Sequence, residues 1–179
     1  RQRQMCIRDS IRPESRLSFA CIKHGPKPRL VKSNAQLDKI IEYISNGNLT
    51  DVGILVYYND QVKQIRDYFQ SRGIPVQWKT KDEMEIDFKS TSPKIITWHC
   101  AKGLQFNDVF IPCCGLDEYK QYVQWSHEPM TEKKSALYVA TTRPLENLYL
   151  LYTNNLAPLL PNPNSPVYSG NAGKNYGPF

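Results

Sequence analysis

Thr97, His99, Lys102 and Gly103 fall close together in the stretch KIITWHCAKGLQFNDVFIP, which runs from Lys94 to Pro112. A hydroxyl, an imidazole and an ammonium group offer hydrogen-bond donors, and a glycine lets a ligand come close to the backbone. That set suits a phosphate. For a lone KG dipeptide, however, the plainer reading is a solvated loop between two strands, and on these residues alone it is the favoured one. The sequence contains no G-x-x-x-x-G-K-[ST] run and no acidic pair after a strand. It therefore has no phosphate loop and no magnesium ligands of its own, and nucleotide hydrolysis by this chain alone is not expected.

The elements that must position these residues follow from periodicity. Asn34–Ser45 carries Leu37, Ile40, Ile41 and Ile44 at helical spacing, and Asn46, Gly47 and Asn48 stop it. Val52–Tyr58 is almost continuously apolar, as a strand buried on both faces should be. Asn59 or Asp60 can cap a helix whose core face is Val62, Ile65, Tyr68 and Phe69, with Gly73 ending it. Ile74–Lys79 returns as a strand, Lys81–Ser92 reads as an exposed connection, and Ile95–Trp98 and Val109–Cys113 are strands flanking the turn. Gly115–Pro129 reads as irregular. Thr131–Thr142 is a helix, with Glu132 in its first turn and Pro144 just beyond it, and Leu148–Tyr152 is a last buried strand. Leu17–Ile22 is a candidate first strand.

Strands alternating with helices predict an α/β fold, a parallel sheet with helices on both faces. Ligands in such sheets sit at the carboxyl ends of the strands, where the His99–Gln105 turn and Arg143 are expected to meet. Trp98 alternates to the other side of its strand and is assigned to the core.

The chain has 179 residues, enough for one ordinary domain with a buried core. No apolar run reaches the length of a membrane span, so no membrane association is expected. The five cysteines show no C-x-x-C spacing, giving neither a zinc site nor a disulfide framework, and no metal ligand is assigned. Reduced thiols make an intracellular, cytoplasmic setting the default. Residues 1–10 (RQRQMCIRDS) resemble a translated sequencing adapter and are set aside as an artefact. Without their three Arg and one Asp the net charge of +6 falls to about +4, still a mild preference for a polyanion. The organisation expected is therefore an artefact at 1–10, one domain over 11–153, and an extended Pro/Asn/Gly-rich tail over 154–179. The natural reading frame is expected to continue upstream.

Three stretches in order resemble the C-terminal half of the UvrD/Rep-type superfamily 1 helicases. VGILVYYNDQVKQIRDYFQSRGIPV is similar to the strand–helix–GIP segment before motif V, ITWHCAKGLQFNDVFI to motif V, and ALYVATTRPLENLYLL to motif VI. The resemblance covers about 52–153, and two long motifs in the right order outweigh the solvated-loop reading.

The resemblance implies a second RecA-like motor domain, the C-terminal part of an ATP-dependent 3′–5′ DNA helicase or translocase. ATP and Mg2+ would be held with a first RecA-like domain, which supplies the phosphate loop and the magnesium ligands. Arg143 matches the motif VI arginine finger, a group typically worth about 10³–10⁵ in rate. Thr142 and Tyr138 match positions around it and would orient it. Gly103 matches a backbone position near the γ-phosphate. Gln105 stands where the family usually has a ribose-binding Glu, and an amide can still make that bond, more weakly. Thr97 and His99 match the positions that contact single-stranded DNA, and Lys102 either steadies the loop or contacts phosphate. Pro144 departs from the usual Ala or Gly. A salt bridge at a helix end is the structural alternative for Arg143.

The family's N-Y-R-S motif is absent, and only about twenty residues separate Pro75 from motif V, too few for the accessory domain of the large helicases. A compact relative is implied, with translocation better supported than strand separation. Two further readings stay open. One is a helicase fused to a nuclease; the other is a RecA-like module that binds DNA or protein without hydrolysing ATP.

Overall fold

The computed structural model describes residues 26–80, 84–87, 89–125 and 130–169. The adapter-like residues 1–10 and the candidate strand Leu17–Ile22 lie outside them. Among the described residues seven strands form one sheet: β1 (Arg29–Lys32), β2 (Val52–Val56), β3 (Gln77–Lys79), β4 (Met84–Glu85), β5 (Lys94–Thr97), β6 (Phe106–Ile111) and β7 (Pro144–Tyr152). Their order is β1-β7-β6-β2-β5-β3-β4. Every neighbouring pair is parallel except β3 with the short edge strand β4. Among the described residues four helices accompany them: α1 (Gln36–Gly47), α2 (Asn59–Ser71), α3 (Leu116–Trp125) and α4 (Met130–Thr141). This is the α/β, RecA-like arrangement expected.

Alternation along the central strands sends apolar side chains to both faces of the sheet. On one face Ile54, Val56, Ile95, Phe110, Tyr149 and Leu151 bury Ile40 of α1 and Val62, Ile65 and Phe69 of α2. On the other, Leu55, Ile96, Val109, Ile111, Leu148 and Leu150 bury Ala136, Leu137 and Ala140 of α4. Trp98 belongs to this second core and is 7% exposed, as its alternation predicts. Tyr68, expected on the core face of α2, is only half-buried, because its hydroxyl reaches out to donate to Asp38 Oδ1 at 2.6 Å.

Several expectations need correction. Gly115–Pro129 is not irregular throughout: Leu116–Trp125 is helical, with Asp117 and Glu118 in its first turn, where negative charge is favoured. Its polar and aromatic composition hid the pattern. β1 and β4 were not anticipated, because strands of four and two residues carry too little periodicity to read. β7 starts at Pro144 rather than Leu148, and a proline is tolerated as the first residue of a strand.

The core also continues past Thr153, where an extended tail was expected. Ala157, Leu160 and Tyr168 are buried in the α4-side core. Cys114 and Ala157 are tied by backbone hydrogen bonding at 2.9 Å, and Ser169 donates to the Pro28 carbonyl at 2.9 Å, beside edge strand β1. Proline and asparagine prevent a helix or strand there, but they do not prevent packing of the apolar residues between them.

Candidate functional site

The turn between β5 and β6 spans residues 98–105 and has to cross the sheet. Thr97, the last residue of β5, pairs with Val56 at the end of β2, whereas β6 begins before the level of Val52 at the start of β2. At about 3.3 Å per residue the turn therefore climbs roughly 20 Å, from the carboxyl edge of the sheet to its amino edge. Its two halves serve different edges.

At the carboxyl edge the turn is pinned by the core. Trp98 N donates to the Val56 carbonyl at 2.7 Å and its indole Nε1 to the Leu55 carbonyl at 3.1 Å. Thr97 is 4% exposed, and its Oγ1 accepts from Cys100 N at 3.3 Å. The Thr97 carbonyl accepts from Ala101 N at 3.0 Å, and Ala101 is fully buried. Thr97 is thus spent on shaping the turn, while His99 and Lys102 are exposed on it. The His99 ring lies 5.5 Å from that of Tyr57, tilted by 59°.

Gly103 is also exposed and has φ +86°. A Cβ there would meet nothing within 4 Å, so the glycine is required by backbone conformation and not by crowding. Gln105 follows, exposed, at the foot of β6.

Arg143 stands beside it. It lies between the end of α4 and Pro144, and Pro144 pairs with Phe106, the first residue of β6. Arg143 and Gln105 therefore meet at the amino edge, not at the carboxyl ends where both were expected. The reason is connectivity: α4 runs back across the sheet before β7 starts, and the turn has crossed the same way before β6. Phe106 N donates to the Arg143 carbonyl at 3.1 Å and locks the two segments together.

The Arg143 guanidinium is half-buried and held at three points. Nε donates to the Val139 carbonyl at 2.9 Å, Nη1 to the Leu104 carbonyl at 3.2 Å and Nη2 to Thr142 Oγ1 at 3.0 Å. Thr142 Oγ1 in turn donates to the Val139 carbonyl at 2.9 Å. Every acceptor is a carbonyl or a hydroxyl, so Arg143 makes no ion pair among the described residues. Burial lowers its pKa from the ordinary arginine value, with the Tyr138 hydroxyl opposing that shift, but a guanidinium stays charged throughout the working pH range. Three bonds leave two of its five donors for a ligand. Thr142 orients the guanidinium directly; Tyr138, expected to help, makes no hydrogen bond to it.

The sequence pointed to Arg143, Thr142, Gly103, Gln105, His99 and Lys102; the structure brings Arg143, Thr142 and Gln105 together at the amino edge, while His99, Lys102 and Gly103 lie on the turn that leads there. It did not point to Leu104, which acts through a backbone carbonyl that no side-chain pattern reveals. It also missed Tyr57, whose apolar run marked it only as core.

Residues 77–155, a little under half of the chain, match the family of the UvrD-like helicase C-terminal domain. The chain is similar in structure to the C-terminal domain of a possible DNA helicase from Lactobacillus plantarum WCFS1. The TM-score is 0.68 at 16% identity, over 94% of each chain. A chain from the complex of the E. coli DEAD-box protein SrmB with regulator of ribonuclease activity A matches with a TM-score of 0.44 and 10% identity. That match covers 73% of this chain and 79% of the other, and it is too distant to carry an argument. No curated protein matches significantly. The resemblance to the C-terminal, second RecA-like domain of UvrD-type helicases is borne out, and the chain has the fold of a helicase motor fragment. No described helix is long and apolar enough to cross a membrane.

Proposed function

We propose that this chain is the second motor domain of an ATP-dependent 3′–5′ DNA helicase or translocase. ATP would lie at the amino edge, against Arg143, Thr142, Gly103 and Gln105, and single-stranded DNA at the carboxyl edge, against His99 and Lys102. The observation that carries this reading is Arg143 itself: a guanidinium anchored by neutral acceptors, with donors to spare and no carboxylate partner among the described residues. A charge fixed in that way suits the stabilisation of a transferring phosphoryl group, because it needs no reorganisation when the charge develops.

The donor set at this edge fits a nucleoside triphosphate, with a guanidinium for the γ-phosphate, an open backbone at Gly103 and an amide at Gln105 for the ribose. Magnesium would be held by acidic residues of a first RecA-like domain, which also brings the phosphate loop. When bound, the ion neutralises charge on the phosphates. The work of this chain is to orient Arg143 through Thr142 and the Val139 carbonyl. Thr97, sealed beneath the turn, acts by shaping it and presenting His99.

The test is ATP hydrolysis by the complete protein with and without single-stranded DNA. Hydrolysis strongly stimulated by DNA is expected. DNA binding without ATP turnover would favour the alternative of a binding module. A nuclease activity in the same polypeptide would identify a helicase–nuclease fusion.

A further inference from the structure

At the carboxyl edge the Tyr57 ring is in contact with three others, those of Tyr58, Trp98 and His99. Tyr57, 5% exposed, packs edge-on against Trp98 with ring centroids 5.1 Å apart and planes at 75°. On its other sides it meets Tyr58 edge-on at 4.7 Å and 88°, and His99 at 5.5 Å and 59°. Tyr57 is thus a buried pillar that holds one ring from β2–α2 and another from the β5–β6 turn. The pillar is itself fixed, because Trp98 is hydrogen-bonded to the Leu55 carbonyl. The backbone under both tyrosines is also fixed: Tyr57 N and Tyr58 N donate to Gln61 Oε1 at 3.1 and 2.9 Å.

Tyr58 differs from Tyr57 in being only half-buried. Both it and His99 contact the same ring, so their centroids are no more than about 10 Å apart, a span of two to three nucleotide steps at ~3.4 Å each. The exposed Lys102 lies on the same turn as His99 and can face a phosphate.

We propose that Tyr58 is a second base-stacking residue beside His99, so that the carboxyl edge holds bases of a single strand on two supported rings. The inference rests on the DNA-edge assignment made above. Aromatic stacking tolerates any base, and a rigid ring loses little entropy when a base settles on it. The ligand class is therefore single-stranded nucleic acid without strong sequence preference.

The test is binding of the 179-residue chain to a fluorescein-labelled oligo(dT) and to an abasic oligomer of the same length and charge. The wild type should prefer oligo(dT). Tyr58→Leu, which keeps apolar packing but loses the ring, should weaken oligo(dT) binding roughly five- to hundredfold and leave abasic binding unchanged. Tyr58→Phe should restore wild-type affinity, which a merely misfolded variant could not show. Equal loss on both oligomers, or no loss on oligo(dT), would overturn the role of Tyr58 while leaving the DNA edge standing. Equal wild-type binding to both oligomers, or to neither, would overturn stacking at this edge altogether.

Discussion

The Arg143 guanidinium donates through Nη1 to the Leu104 carbonyl at 3.2 Å. Leu104 belongs to the same turn that presents His99 at the opposite edge of the sheet. A displacement of the turn by a ligand at one edge therefore bears directly on the side chain proposed to act at the other. The Phe106 N to Arg143 carbonyl bond makes the link a double one.

On the proposed function, Arg143→Ala should lower DNA-stimulated ATP hydrolysis by the complete protein about 10³-fold or more. Single-strand affinity should hold. Arg143→Lys should not rescue, because an ammonium cannot reach the Val139, Leu104 and Thr142 acceptors in the fork geometry of a guanidinium. ATPase near the wild-type rate in either variant would remove Arg143 from the chemistry.

His99→Ala should weaken single-strand binding by about 1–3 kcal/mol, the range for loss of one stacking ring. The variant should also lose much of its stimulation by DNA while keeping its basal hydrolysis. Fluorescence anisotropy with a labelled oligonucleotide, alongside ATPase titrations, measures both. Undiminished affinity would move the DNA contact elsewhere on the turn.

The sequence carried the central strands, three of the described helices and the order of the site residues, because long apolar runs such as Val52–Tyr58 and two motifs of many residues leave strong patterns. It could not carry which edge each residue reaches. That depends on how far the 98–105 turn travels between paired strands, and register is a property of the assembled sheet. It also hid the contribution of Leu156–Tyr168, where scattered apolar residues among prolines have no period yet fill the α4-side core. Thr97 is the sharpest case. Its motif position marks it for DNA, whereas its burial gives its hydroxyl to the turn.

Gln105 invites a substitution in the gaining direction. Gln105→Glu replaces an amide by a charged acceptor, and hydrogen bonds to charged groups are stronger by about 1 kcal/mol. If Gln105 faces a ribose hydroxyl, the KM for ATP should fall roughly fivefold with kcat little changed. Steady-state kinetics of the complete protein decide it, and a KM that stays put or rises would show that the side chain does not reach the sugar.

Gly53 tests the packing beneath the turn. It lies in β2, between β5 and β6, and a Cβ there would come within 2.6 Å of the Phe106 ring. Phe106 is 1% exposed and has little room to give way. Gly53→Ala should cost about 1–3 kcal/mol by overpacking. Urea denaturation reads the loss as a lower midpoint at unchanged slope, and a variant as stable as wild type would mean that the ring can move.

Asp108 supplies a pH test. It is 4% exposed in β6, and its Oδ1 accepts from Asn147 Nδ2 at 2.7 Å. Burial raises its pKa above the ordinary carboxylate value, the Asn147 hydrogen bond opposes this, and Glu146 and Asp51 add to the rise. The folded state therefore holds this proton more tightly than the unfolded chain does. By linkage, the favourable contribution is fully present below the unfolded carboxylate pKa and is lost as pH rises through the raised folded value. At neutral pH the buried charge is a cost. Asp108→Asn imitates the protonated form and keeps an acceptor for Asn147, so it should stabilise the protein at pH 7. Its advantage should shrink towards zero as pH falls below the carboxylate range. Urea midpoints for both proteins from pH 4 to pH 8 give the comparison. A difference that stays constant across that range would mean that Asp108 contributes through packing alone and not through its charge.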